Sequence, residues 1–169
     1  MTDEDNIKPK FLTKDVAETA TDRVIAMATR DFPLKRQDCH IVVLAPSMEQ
    51  DSMWPNYNIT PFVLYEKSVG ARSEWQHSYD VIARRKAAQL WQERNDGRTD
   101  CMPHLLFPGD TPYWGGVERD GIVVACSGFQ AWFDKMVAGM IADACIALAY
   151  NLWVESDDKR KGLDFLSRF

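Results

Sequence analysis

With 169 residues and a net charge of −5 at pH 7, the chain has the length of one domain and an ordinary globular composition, 46% hydrophobic and 27% charged. The mild acidity argues against nucleic-acid binding, because the dense basic runs, Arg84-Arg85-Lys86 and Lys159-Arg160-Lys161, both sit among acids. Cys39, Cys101, Cys126 and Cys145 form no Cys-x-x-Cys pair and three lie in apolar runs, which reads as reduced thiols in a cytoplasmic protein.

Residues 1–12 are polar, contain Lys8-Pro9-Lys10 and read as a flexible arm without a basic-then-apolar leader pattern. Val16, Ala20, Val24 and Met27 recur at helical spacing and predict a helix from Thr13 to Asp31. Thr13 is its expected N-cap, Asp15 lies in its first turn, and Pro33 follows its end. Cys39 to Ala45 is continuously apolar and rich in β-branched residues, as a central strand covered on both faces would be. Pro46 to Ile59 predicts a long loop, and Trp54 and Tyr57 in it would cover a ligand, a neighbouring subunit or the domain's own edge. Thr60 to Lys67 predicts a second strand, with Pro61 tolerated at its start.

A second helix is expected from Ser78 to Asn95, capped by Ser78 and stopped by Gly97. Its apolar face is Tyr79, Ile82, Ala83, Ala87, Leu90 and Trp91. Cys101-Met102-Pro103-His104 lacks a second metal half-site and reads as loop, while Pro103 to Phe107 predicts a short edge strand. Trp114–Arg119 and Ile122–Cys126 flank Asp120-Gly121, a strong hairpin signal, because a type I′ turn needs positive φ at both central residues.

Phe129 to Val154 predicts a long last helix whose stretch from Met136 is almost wholly apolar. Asp143 near its middle argues against a membrane span, so the helix is expected to face the core or an interface. One sheet face cannot cover so apolar a cylinder, and a homo-oligomer through this helix is expected. The tail, residues 155–169, is charged but carries Leu163, Phe165, Leu166 and Phe169, which suggests a short docking helix. The order is α-β-β-α-β-β-β-α: a single α+β domain over residues 13–154, with an antiparallel sheet of about five strands and helices packed on its faces.

Gly115 and Gly116 permit a turn or a close approach. Ser127 either caps the last helix or offers its hydroxyl, with free N–H groups, to an anion. His40 lies in the apolar strand and reads as a satisfied core histidine, His104 lies in a loop, and His77 is nearest the basic segment. Arg84, Arg85 and Lys86 point about 100° apart around a helix, so at most two face one site. Lys86, four residues after Ile82, is the one expected to reach inward. No P-loop, Gly-x-Ser-x-Gly or His-Glu-x-x-His is present, so an enzyme reading is the weaker one.

Three fragments in order resemble the GlcG/HbpS-like family of haem-binding proteins, itself similar to the C-terminal domain of the propanediol-utilisation corrinoid adenosyltransferase. They are "IARRKAA" (Ile82–Ala88), "GGVERDGIVVACSG" (Gly115–Gly128) and "SGFQAWFDKMVA" (Ser127–Ala138), the last matching Ser-Gly followed by Asp-x-x-x-Ala. The chain departs from the family in lacking its Asp-x-Gly-Gly turn between the first two strands and the Asp of its Arg-Met-Asp-Gly segment. The resemblance implies a profilin-like αββαβββα fold and haem as ligand. With the residue reading, it marks Lys86, Arg85, His77, Trp114, Gly115, Gly116 and Ser127 as the candidate binding site. The expectation is a cytoplasmic small-molecule-binding or sensing protein, its ligand haem or another planar or anionic molecule. The alternatives are an accessory oligomer without a ligand, or an enzyme acting on a small organic acid or aromatic.

Overall fold

The computed structural model describes residues 5–49, 58–95 and 102–168. Thr13 begins helix α1 (Lys14–Asp31) as expected, its hydroxyl accepting from the Val16 N–H at 3.2 Å. The helix ends at Phe32, held extended by the proline that follows. Strand β1 (Cys39–Met48) pairs antiparallel with β2 (Ile59–Val69) on one side and with β4 (Ile122–Ser127) on the other. Strand β3 (Gly116–Arg119) completes an antiparallel sheet in the order β2-β1-β4-β3.

The β3–β4 hairpin turns at Asp120 and Gly121, with φ of 49° and 89°, as the Asp-Gly pair predicts. Helices α2 (Tyr79–Trp91) and α3 (Ala131–Glu155) follow β2 and β4, and a one-turn helix α4 (Asp157–Arg160) begins the tail. The α+β class, the antiparallel pairing and the helices on both faces are therefore as expected.

Alternation in the two central strands builds two cores. Cys39, Ile41, Val43 and Ala45 of β1 pack with Ile122, Val124 and Cys126 of β4 under α1 and α3. Val42, Leu44, Val123 and Ala125 point the other way, under Ala83, Ala87 and Leu90 of α2. A strand so covered has no polar face, which is why β1 reads as an unbroken apolar run.

Several boundaries differ from the sequence reading. Strand β1 continues through Pro46 to Met48, so the loop after it begins later than expected. Pairing with β4 stops at Leu44, and a missing N–H at Pro46 breaks no bond on that side. Pro103–Leu105 forms a single 3-10 turn instead of an edge strand, which leaves four strands among the described residues. Helix α2 ends at Trp91, before Asn95, because Glu93 adopts φ of 58°. Ser78 occupies the N-cap of α2 but its hydroxyl makes no capping bond. Trp54, Tyr57, Gly97, Cys101 and Phe169 lie outside the described residues.

Cys39, Cys126 and Cys145 are buried and unpaired. The N-terminal segment lies beside the end of β1, where the Ile7 and Met48 backbones exchange hydrogen bonds at 2.8 Å. Lys10 reaches across to Asp158 in α4 at 2.6 Å. The first half of α3 buries Val137, Ala138, Ile141, Ala142 and Cys145 against the sheet. Its second half leaves Leu148, Tyr150, Leu152 and Val154 exposed, and Phe165 in the tail is 86% exposed. By length and composition alone α3 is apolar enough to cross a membrane, with an 18-residue window at mean hydropathy 1.6.

Candidate functional site

Helix α2 lies on one face of the sheet and α3 on the other, yet one side chain from each meets its counterpart around the sheet's end. Lys86 of α2 points inward, as its spacing from Ile82 predicts, and is 2% exposed. Its ammonium donates to the Cys126 carbonyl at 2.8 Å and to Asp134 Oδ2 at 3.2 Å. Asp134, in the first turn of α3, accepts the Phe129 N–H on Oδ1 at 3.0 Å. Burial pushes its carboxyl up to about 7, against the pull of Lys86 and the Phe129 N–H. Burial, with Cys39 beside it, also pushes the Cys126 thiol well above its usual value.

Gly115 makes this meeting possible. A Cβ there would stand 2.6 Å from the Asp134 Cβ and 3.1 Å from Lys86 Nζ, and the residue holds φ of 126°. The first glycine of the pair is therefore required by the ion pair behind it.

A cleft of about 210 Å³ opens in front of this pair. Tyr79, Ile82 and Lys86 of α2 line one side, Tyr113 and Trp114 another, and Ser127, Phe129, Ala131 and Asp134 the base. Arg36 and His77 stand at its exposed rim, and Arg36 donates to the Tyr79 hydroxyl at 3.3 Å. The segment carrying Tyr113 is anchored by fully buried Gln89, which gives a hydrogen bond to the Thr111 carbonyl at 3.1 Å and takes one from its N–H at 2.9 Å.

Of the seven residues expected in the site, Lys86, His77, Trp114 and Ser127 line the cleft. Gly115 stands directly behind its cation. Two do not belong to it. Arg85 is exposed and turns toward the Gly109–Asp110 turn, one helical step from Lys86. Gly116 packs under Leu90, where a Cβ would lie 2.6 Å from Cδ1.

Ser127 is the last residue of β4, and Gln130 holds the N-cap of α3, so the capping role considered for Ser127 does not arise. Its hydroxyl has no hydrogen-bond partner among the described residues, although the residue is 4% exposed. Sequence reading missed Asp134 as the partner of Lys86, and also Arg36, Tyr79 and Phe129. The available signal for Asp134 was a carboxylate in the first turn of an otherwise apolar helix, just after Ser-Gly.

A second polar cluster lies beside the first, under the same helix: His40 stands opposite Ser127 in the β1–β4 pairing. His40, 4% exposed, places Nδ1 2.8 Å from Ser68 Oγ and Nε2 3.2 Å from Glu66 Oε1, with Trp75 edge-on to its ring. Arg84 closes the cluster by donating to Glu66 at 2.7 Å. Burial favours the neutral Glu66, but the hydrogen bonds from Arg84 and His40 outweigh it and hold the carboxyl below its usual value. His40 is thus a satisfied core histidine, as expected. Among the described residues no group of three His, Cys, Asp or Glu side chains gathers as a metal site.

No family model, curated protein or solved structure matches the chain.

Proposed function

We propose that the chain is a small-molecule-binding or sensing protein whose ligand, a compact planar or anionic molecule, sits in the cleft between α2 and the β4–α3 junction. One observation carries this reading. The three sequence fragments that resemble the GlcG/HbpS-like family deliver Lys86, Gly115, Ser127 and Asp134 to a single place, the base of an aromatic-walled cleft. A buried ion pair beneath a concave, largely apolar surface is the usual composition of a ligand site.

Haem fits this cleft poorly. Pockets for drug-sized molecules run from roughly 300 to 1,000 Å³, and this one is about 210 Å³. A haem iron also needs an axial donor facing the macrocycle. The histidine on the cleft is His77, exposed at its rim, while His40 is engaged by Ser68 and Glu66. We therefore place small planar anions ahead of haem.

Adding haem, and separately a set of small aromatic acids and amides, to the ¹⁵N-labelled chain tests the reading. Shifts centred on Trp114, Ser127 and Phe129 are expected for the small molecules, with no Soret shift from haem. A set that leaves these resonances unmoved refutes the assignment.

The exposed apolar half of α3 favours a second reading, an accessory homo-oligomer assembled through that helix. Light scattering at micromolar concentration tests it: a mass near 19.3 kDa, that of one chain, would remove it.

A further inference from the structure

We infer that the ligand of the cleft is a monocarboxylate with an apolar or aromatic body, its carboxylate accepting from the Lys86 ammonium and the Ser127 hydroxyl. This rests on the reading of the cleft as a small-molecule site and narrows it to one chemical class.

An ammonium carries three N–H donors. Two of those on Lys86 are used, on the Cys126 carbonyl and on Asp134. The third has no protein partner among the described residues, and neither has the Ser127 hydroxyl, although both residues are more than nine-tenths buried. Both of these donors belong to residues lining the same cleft.

The acceptors nearby are already engaged. Asp134 spends Oδ1 on the Phe129 N–H and Oδ2 on Lys86, and the Tyr79 hydroxyl accepts from Arg36. The cleft thus presents donors in excess, with the Arg36 guanidinium at its rim and the N-terminus of α3 opening into it at Ala131. What completes it is an acceptor, and a negative one.

Size, wall and charge then choose among anions. The volume of about 210 Å³ admits a compact molecule. Tyr79, Ile82, Trp114 and Phe129 offer an apolar body more than they offer a fully hydrated anion. Lys86 already shares its charge with Asp134, so the base can balance one further negative charge better than the two of a phosphate.

Calorimetric titration of the full-length chain with benzoate, benzamide and inorganic phosphate decides the matter. Benzoate is expected to bind one per chain, with benzamide and phosphate each at least about 10-fold weaker. Ser127→Ala is expected to weaken benzoate roughly 10-fold while leaving the thermal midpoint unchanged. Lys86→Met should abolish benzoate binding, and Ser127→Ala keeps the test decisive if that variant does not fold. Equal affinity for benzoate and benzamide, with both lost in Trp114→Ala, would overturn the carboxylate and leave the cleft reading intact. Phosphate as tight as benzoate, or a Ser127→Ala protein that binds benzoate normally, would also overturn it. If neither benzoate nor benzamide binds and the cleft resonances stay unmoved, the carboxylate and the cleft reading fall together.

Discussion

Two polar clusters lie on α2, one around His40 and one around Lys86, and they differ in how completely they are closed. Every polar atom of the His40 ring has a partner, and the Glu66 it touches is held in turn by Arg84. Lys86 has two partners and one donor left over, next to a serine hydroxyl that bonds to nothing among the described residues. A closed network locks strands and helix into one arrangement, while an open one leaves work for a ligand. The comparison gives His40 an architectural role and leaves to Lys86 the donor that the proposed recognition role requires, though histidine is the residue more often associated with binding.

Removing a charge from the open cluster should have the largest effect. Lys86→Ala leaves Asp134 buried without its cation, and a cost of about 3–5 kcal/mol is expected in urea unfolding. Replacing both residues together, Lys86→Met with Asp134→Leu, should cost clearly less than the two single changes summed. Additive losses would mean that the two side chains stabilise the fold separately.

The clusters should also respond to pH with opposite signs. Asp134 is raised from 3.8 to about 7, so between those values the folded chain keeps a proton that the unfolded chain releases. Its contribution to stability is present at low pH and is lost as pH rises through about 7. Glu66 is lowered from 4.5, so its contribution is present at neutral pH and is lost as pH falls through its depressed value. Urea unfolding from pH 4 to 8 of the wild type against Asp134→Asn should show the wild type losing about 2–4 kcal/mol relative to the variant as pH rises. Against Glu66→Gln, the wild type should lose its advantage at the acid end. The same sign for both variants would show that burial does not dominate at Asp134.

His40→Ala should lower stability by roughly 1–3 kcal/mol, through the loss of bonds to Ser68 and Glu66. Ligand affinity in that variant should fall less than in Ser127→Ala, because His40 does not line the cleft although it stands opposite Ser127 in the β1–β4 pairing. A larger change in affinity would join the two clusters into one site. The smallest effect on stability is expected for Ser127→Ala, within about 0.5 kcal/mol, since a hydroxyl without a partner leaves nothing broken behind it. Differential scanning calorimetry checks this directly.

What could be read in advance were the features set by neighbours in sequence. The Thr13 cap, the Asp120-Gly121 turn, the two-sided apolar run of β1 and the inward direction of Lys86 each depend on a few adjacent residues. The sequence did not reveal that Lys86 would meet Asp134, 48 positions away, because that depends on how α2 and α3 seat on opposite faces. Gly115 was noticed as a glycine but its reason lies in those two side chains. Arg85 and Gly116 fall outside the cleft on the same account: one sits a helical step away from it, and the other packs against Leu90. For Ser127 the sequence allows both a cap and an anion-binding hydroxyl, because Ser-Gly before a helix suits either. Gln130 holds the N-cap instead, and the Ser127 hydroxyl is left without a capping bond.

The passage of the Lys86–Asp134 contact around the end of the sheet has a mechanical meaning. Here the backbone of β4 and the start of α3, joined through the ion pair to α2, form a hoop around the sheet's edge, and Gly115 is the notch that lets it close. Sliding α2 along its face pulls on the first turn of α3 behind it. The ligand proposed for the cleft would touch the clasp of that hoop and so bear on both layers at once.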